Sequence, residues 1–154
     1  AKHGELRGAS TFGPCEIEPH HPDFYWYGIH ATEMLYTVMG RGCRTVVRTH
    51  TPNVDVVTGV WSDGRVGTVR GNRATKSSYG VTVFGAAGIV TPEVKSGYGV
   101  MLKEIVKFFQ TRVAPVAAED TIELMAFMEA ADESKRRGGD PVAIADVMQA
   151  NQPK

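Results

Sequence analysis

Between Thr45 and Gly71 the chain is committed to β-structure more firmly than anywhere else. Thr45–Thr49 and Val54–Trp61 are rich in β-branched residues, and Ser62-Asp63-Gly64-Arg65 separates the second run from Val66–Gly71. An Asp-Gly pair between two such runs predicts a tight hairpin, because Asp and Gly reach the positive φ angles of that turn at low cost. A sheet must therefore form in mid-chain. Further strands are expected at Glu5–Thr11 and Tyr79–Phe84, with Gly85 and Gly88 turning the chain into a short extended piece, Ile89–Thr91. Phe12–Pro22 reads as a loop, interrupted by Gly13, Pro14, Pro19 and Pro22.

Helical spacing stands on either side of these strands. Ala31, Met34, Leu35 and Val38 mark a first helix that stops at Gly40 or Gly42. Tyr98, Met101, Leu102, Ile105 and Phe109 mark a second; Ile122, Met125 and Met128, flanked by Leu124 and Phe127, mark a third that ends at Gly138-Gly139. Strands clustered between helices predict an α+β domain, with an open, mostly antiparallel or mixed sheet and its helices packed on one face. The 154 residues suffice for one domain with its own core and little more. The tail from Asp140 to Lys154, containing Pro141 and Pro153, is expected to run extended along the surface.

A sheet wetted on one face should alternate apolar and polar residues, whereas Val56-Val57 and Gly59-Val60-Trp61 put apolar or small groups on both. The second face, with Val56, Val60 and Trp61, is therefore expected to pack against protein, most simply as a homodimer. Lys plus Arg and Asp plus Glu balance at 17 each, so no basic field exists to attract nucleic acid or an anionic membrane. Cys15 and Cys43 fit neither a paired metal motif nor a disulfide framework, and Ala1–Gly8 has no apolar signal core. Cytoplasm is the expected location, although an export signal upstream of Ala1 would leave no trace.

The candidate chemistry lies in Phe24–Leu35. Tyr25, Trp26 and Tyr27 offer ring faces on which a sugar-like molecule stacks, and His30 follows at the opening of an amphipathic helix. Imidazole titrates nearest neutrality of all side chains, so His30 is the acid/base candidate. Glu33, one turn on, can orient polar groups. Arg70, Asn72, Arg73 and Lys76 follow the hairpin; Arg73 is a candidate for holding ligand hydroxyls or a carboxylate, and exposed strand-end charge is the alternative. His20, His21, Asp23, His30 and Glu33 admit a metal reading, weakened because adjacent histidines diverge. Gly97-x-Gly99 and Gly85-x-x-Gly88 are fragments of a dinucleotide fingerprint, but neither sits in a strand-turn-helix unit.

The collinear order of strand, aromatic loop, Gly28-Ile29-His30-x-x-Glu33-Met34-Leu35 helix, Asp63-Gly64 hairpin, Tyr79–Gly85 strand and closing helices resembles the C-terminal domain of the Gfo/Idh/MocA family of NAD(P)-dependent oxidoreductases. The ending, Ser134 to Val142 with its Gly138-Gly139 turn, is similar too. The resemblance implies that residues 1–154 are one substrate-binding and oligomerisation domain of a sugar or cyclitol oxidoreductase, without the N-terminal dinucleotide-binding half. It implies NAD or NADP in a full-length parent, no cofactor or metal in this chain, and no dehydrogenase activity from this chain alone. His30 matches the family's histidine. The family's aspartate four positions earlier is replaced by Trp26, Asp23 lies three residues further off, and no Glu-Lys-Pro motif occurs. The rival readings are a standalone, non-catalytic dimeric sugar-binding module and a metal-dependent isomerase or hydrolase.

Overall fold

A computed structural model of the chain describes residues 3–76, 78–94 and 97–151. Strand β1 (Leu6–Pro14) leads to helix α1 (Gly28–Met39), and β2 (Cys43–His50), β3 (Val54–Trp61) and β4 (Val66–Asn72) follow as a meander. A hairpin of β5 (Gly80–Gly85) and β6 (Gly88–Val90) precedes α2 (Tyr98–Thr111), α3 (Ala118–Arg136), β7 (Val142–Ala143) and α4 (Ile144–Ala150). The strands form one sheet in the order β6-β5-β1-β4-β3-β2-β7. β1 and β4 are parallel from Gly8↔Val66 to Pro14↔Asn72, and the other pairs are antiparallel, so the sheet is mixed and the fold α+β.

Three expectations need correction. β1 continues through Phe12, Gly13 and Pro14, because β4 offers a parallel partner up to Asn72. As far as Asn151 the tail does not run extended along the surface: Val142 pairs with Val46, and α4 follows directly on β7 with Ile144 and Val147 buried, while Pro153 lies outside the described residues. Trp61 does not share a face with Val56 and Val60. The period of two places it with Asp55, Val57 and Gly59 on the side of α1 and α3.

Trp61 organises that side. Its ring lies 5.8 Å from Tyr36 and 6.4 Å from Phe127, and its indole N–H donates to the Gly40 carbonyl at 2.9 Å. Gly59 and Gly67 make room for it, since a Cβ on either would stand 2.9 Å from the indole. Leu35, Val46, Val57, Val69 and Phe127 complete a fully buried layer between sheet and helices. The opposite face carries Val56, Thr58, Val60, Val66, Thr68 and Phe12, and no described helix packs on it; Val60 and Val66 stand directly opposite each other, 43% and 44% exposed.

A buried ionic cluster ties the sheet to the loop that precedes α1. Arg48, fully buried, donates through Nε to Asp55 at 2.8 Å and through Nη1 to Asp132, and reaches Asp23 at 3.3 Å. Lys135 also pairs with Asp23, and Arg73 with Asp55. The Arg48 guanidinium lies 4.9 Å from the Phe24 ring centroid. Burial alone would raise the Asp23 carboxyl, but Lys135 and Arg48 override it and hold the carboxyl below its ordinary range. Burial outweighs Arg48 at Asp132, whose carboxyl is raised.

Candidate functional site

The site begins where β1 and Phe24 fix the first turn of α1. Gly28 lies so close to the Phe24 ring that a Cβ there would approach it to 3.1 Å, and the Thr11 hydroxyl donates to the Ala31 carbonyl at 2.8 Å. Tyr25 N–H donates to the Pro22 carbonyl at 3.1 Å and His30 N–H to that of Tyr27 at 3.2 Å, so residues 22–30 wind in tight turns that carry the chain from the core outward. Phe24 is buried, Tyr25 half-buried, and Trp26 and Tyr27 are exposed.

The outward rings form a continuous row. His21 and Trp26 lie 4.5 Å apart, Trp26 and Tyr27 5.7 Å, Tyr27 and His30 6.1 Å, and His30 and Tyr79 5.9 Å. The last three contacts are edge-to-face, a preferred geometry for aromatic pairs. His30 Nδ1 is 3.2 Å from Glu33 Oε2. With Nδ1–H donating to that carboxylate, Nε2 carries the lone pair and can take a proton from a ligand hydroxyl. Ring faces for stacking, an imidazole base and a carboxylate that orients it are thus assembled within one turn of helix and its leading loop.

Trp26, Tyr27, His30 and Glu33 come together; Tyr25 and Arg73 do not join them. Tyr25 turns towards α3 and donates its hydroxyl to Met125 at 3.3 Å, and burial pushes that phenol up to about 12. The Arg73 guanidinium is buried against Asp55 and the Thr51 carbonyl, 3.1 Å away, rather than standing free at a strand end. Tyr79 and His21 enter the row without having been singled out as ring partners. The one trace of Tyr79 in the sequence is Gly13, where a Cβ would stand 2.6 Å from the Tyr79 ring. Asp23, bound to Lys135 and Arg48, does not fill the place taken by Trp26.

His30 lines neither of two grooves on the helical side. One, of about 630 Å³, runs past Glu33, Tyr36, Gly40, Val116 and Met125; the other, of about 500 Å³, past Tyr25, Ile122, Met125, Val147 and Met148. A metal centre at His30 and Glu33 needs His20 or His21 to converge on them. Instead His20 binds Glu18 at 2.8 Å and His21 stacks on Trp26, and no three metal-binding side chains converge among the described residues. Gly85 and Gly88 flank the β5–β6 turn, and Gly97 precedes an exposed helix, so neither glycine pair forms a phosphate cradle. Both cysteines are free and buried, and burial raises the Cys15 thiol and pushes Cys43 up to about 12.

No protein-family model and no curated protein matches the sequence. Solved structures do match, among them Gfo/Idh/MocA-type oxidoreductases. Scyllo-inositol dehydrogenase from Lactobacillus casei, solved with NAD(H) and scyllo-inositol, superposes with a TM-score of 0.73 at 10% identity, over 94% of this chain and 58% of that one. Myo-inositol 2-dehydrogenase from Lactobacillus plantarum gives 0.74 at 15%, over 92% and 57%. GenD2 from gentamicin A biosynthesis, in complex with NAD, gives 0.70 at 19%, over 92% and 56%. The chain shares their fold and spans less than two thirds of their length.

Proposed function

We propose that this chain is the substrate-binding and oligomerising part of an NAD(P)-dependent oxidoreductase acting on a sugar or cyclitol, corresponding to the C-terminal part of such enzymes. The observation that carries the reading is the placement of His30, between Tyr27 and Tyr79 with Glu33 on Nδ1, in a fold shared with inositol dehydrogenases. Polyols offer C–H faces to aromatic rings and hydroxyls to an imidazole. In this reading Trp26 and Tyr27 wall the ligand, His30 Nε2 takes the proton of the reacting hydroxyl, and Glu33 fixes the imidazole and stabilises the imidazolium that results. The dinucleotide, which would accept hydride, is held by residues outside those described, since none of these forms a glycine-rich strand-turn-helix cradle. Two copies meet through the sheet face bearing Val56, Val60 and Val66.

Calorimetry and saturation-transfer NMR with myo-inositol and scyllo-inositol test the ligand part. Weak, saturable binding that falls at least tenfold in Trp26→Ala and His30→Ala is expected, and no transfer to any polyol would end the reading. The same chain titrated with NAD and NADP is expected to give no heat, and micromolar binding of either would show that it carries a cofactor site of its own.

Trp26 in place of the family's aspartate favours a second reading, a stacking platform that binds polyols without turning them over. The product of the complete reading frame separates the two. Polyol-dependent reduction of NAD or NADP, lost in His30→Ala, supports the enzyme, and binding without reduction supports the platform.

A further inference from the structure

Two rings of the row, His21 and Tyr79, have no part in the proposed chemistry. Tyr79 is the one that meets His30, edge to face at 5.9 Å. It stands just before β5, so the sheet and not the aromatic loop brings it to the site. The backbone seats its ring. Both Cδ1 and Cε1 would stand 2.6 Å from a Cβ on Gly13, and that same Cβ would lie 3.6 Å from the Ala31 side chain of α1. Glycine at 13 thus lets the Tyr79 ring lie against β1 beside the first turn of α1, where it stays half-buried. A ring already held in place offers a surface for stacking, because little side-chain freedom is lost when a ligand settles on it.

His30 has a phenol ring on each hand, Tyr27 at 6.1 Å and Tyr79 at 5.9 Å, and these two form no ring pair of their own. A sugar unit is about the size of one phenol ring. The unit whose hydroxyl meets Nε2 and whose C–H face rests on Tyr27 and Trp26 therefore leaves Tyr79 uncovered. The row is also open. Trp26 and Tyr27 are 41% and 40% exposed and the His30 side chain 54%, and His30 lines neither groove. Small-molecule sites enclose most of the ligand's surface. An open row gains affinity in another way, by adding ring contacts along a longer ligand. Charge selects further: burial raises the Tyr79 phenol, and Tyr27, Glu16 and Glu33 add to the rise, so two carboxylates stand near that ring. A uronate placed there would meet like charge.

We infer that Tyr79 is a second subsite and that the ligand is a neutral glycoside of at least two sugar units, the first on Tyr27 and Trp26 with its reacting hydroxyl at His30, the next on Tyr79. This rests on the function proposed above and narrows its substrate class. With His30 between the subsites, the reacting hydroxyl lies on the side of the first unit that carries the glycosidic bond.

Calorimetry and saturation-transfer NMR on the 154-residue chain test it, with myo-inositol, methyl β-glucoside, and a panel of cellobiose, maltose, gentiobiose and trehalose. At least one disaccharide is expected to bind about tenfold or more tightly than the methyl glucoside, with saturation of the aromatic protons reaching C–H protons of both its units. Tyr79→Ala should remove that gain and leave myo-inositol binding unchanged; Tyr79→Phe, which keeps the ring face, should keep the gain. A uronate in place of the second unit should lose it, and equal binding of the uronate would overturn the neutral class. Disaccharides no tighter than the methyl glucoside, or transfer to one unit alone, would overturn the subsite. So would myo-inositol binding that falls in Tyr79→Ala, since the ring would then serve only to hold His30. Myo-inositol tells the two failures apart. Inositol bound without a disaccharide gain removes the subsite and leaves the function; no binding of any of these ligands removes both.

Discussion

The Arg48 side chain is fully buried, and three carboxylates from different parts of the fold surround its guanidinium. Removing one partner of a buried ionic cluster is far more damaging than removing the cluster, because the remaining charge is left without compensation. Asp55→Asn, which takes from Arg73 its carboxylate and from Arg48 one of three, is expected to lower stability by about 3–5 kcal/mol in urea unfolding. Asp23 adds a pH dependence of known sign. Its folded carboxyl titrates below the ordinary value of 3.8, so its contribution is complete above that value and is lost as pH falls through the depressed one. Asp23→Asn should flatten the acid limb of the stability–pH curve, and an unchanged limb would show that other carboxylates govern it. His30→Ala, at an exposed first-turn position, is expected to change stability by no more than about 0.5 kcal/mol; a larger loss on thermal melting would make the histidine structural. Local sequence shows His30 with Trp26 and Tyr27 because they are close neighbours in the chain, and not with Tyr79, which the sheet brings to it. It cannot show Arg48, whose partner Asp132 lies 84 residues away, nor why Arg73 is turned inward.

At the scale of elements, Gly59 marks a tight contact between the sheet and the side chains packed on it. A Cβ there would stand 2.7 Å from the Phe127 ring, 2.9 Å from Trp61 and 3.0 Å from the Cys43 sulfur, all buried. Gly59→Ala is therefore expected to destabilise by about 1–3 kcal/mol, despite the higher strand propensity of alanine, as read by denaturant midpoint. Strands β3 and β4 and the hairpin between them were legible in the sequence because β-branched runs and an Asp-Gly turn are local signals. The end of β1 was not, since Gly13 and Pro14 read as a loop until a parallel partner sixty residues on is known. Helix α4 escaped for another reason: seven residues after Pro141 are too few for periodicity to show, and burial of Ile144 and Val147 against the rest of the fold holds them. Trp61 was assigned to the wrong face because an apolar run gives no phase; the phase comes from α1 and α3.

At the scale of the whole molecule, the open sheet face is where we propose that two copies meet. Val60→Lys with Val66→Lys places two like charges on facing positions of the proposed interface, and light scattering should show a dimer becoming a monomer with an unchanged circular dichroism spectrum. A wild-type chain that is monomeric at tens of micromolar would refute the interface itself. One property of the sheet reaches beyond the finished structure. β1 is made before the other strands of this sheet, yet it is an interior strand whose neighbours, β4 and β5, begin at Val66 and Gly80. Its two edges stay unpaired while most of the sheet is synthesised, and pairing across so many residues closes large loops, which slows folding towards the millisecond-to-second range. A nascent chain stalled before Val66 therefore presents a strand with two free edges to its surroundings, and unpaired edges are what aggregates recruit.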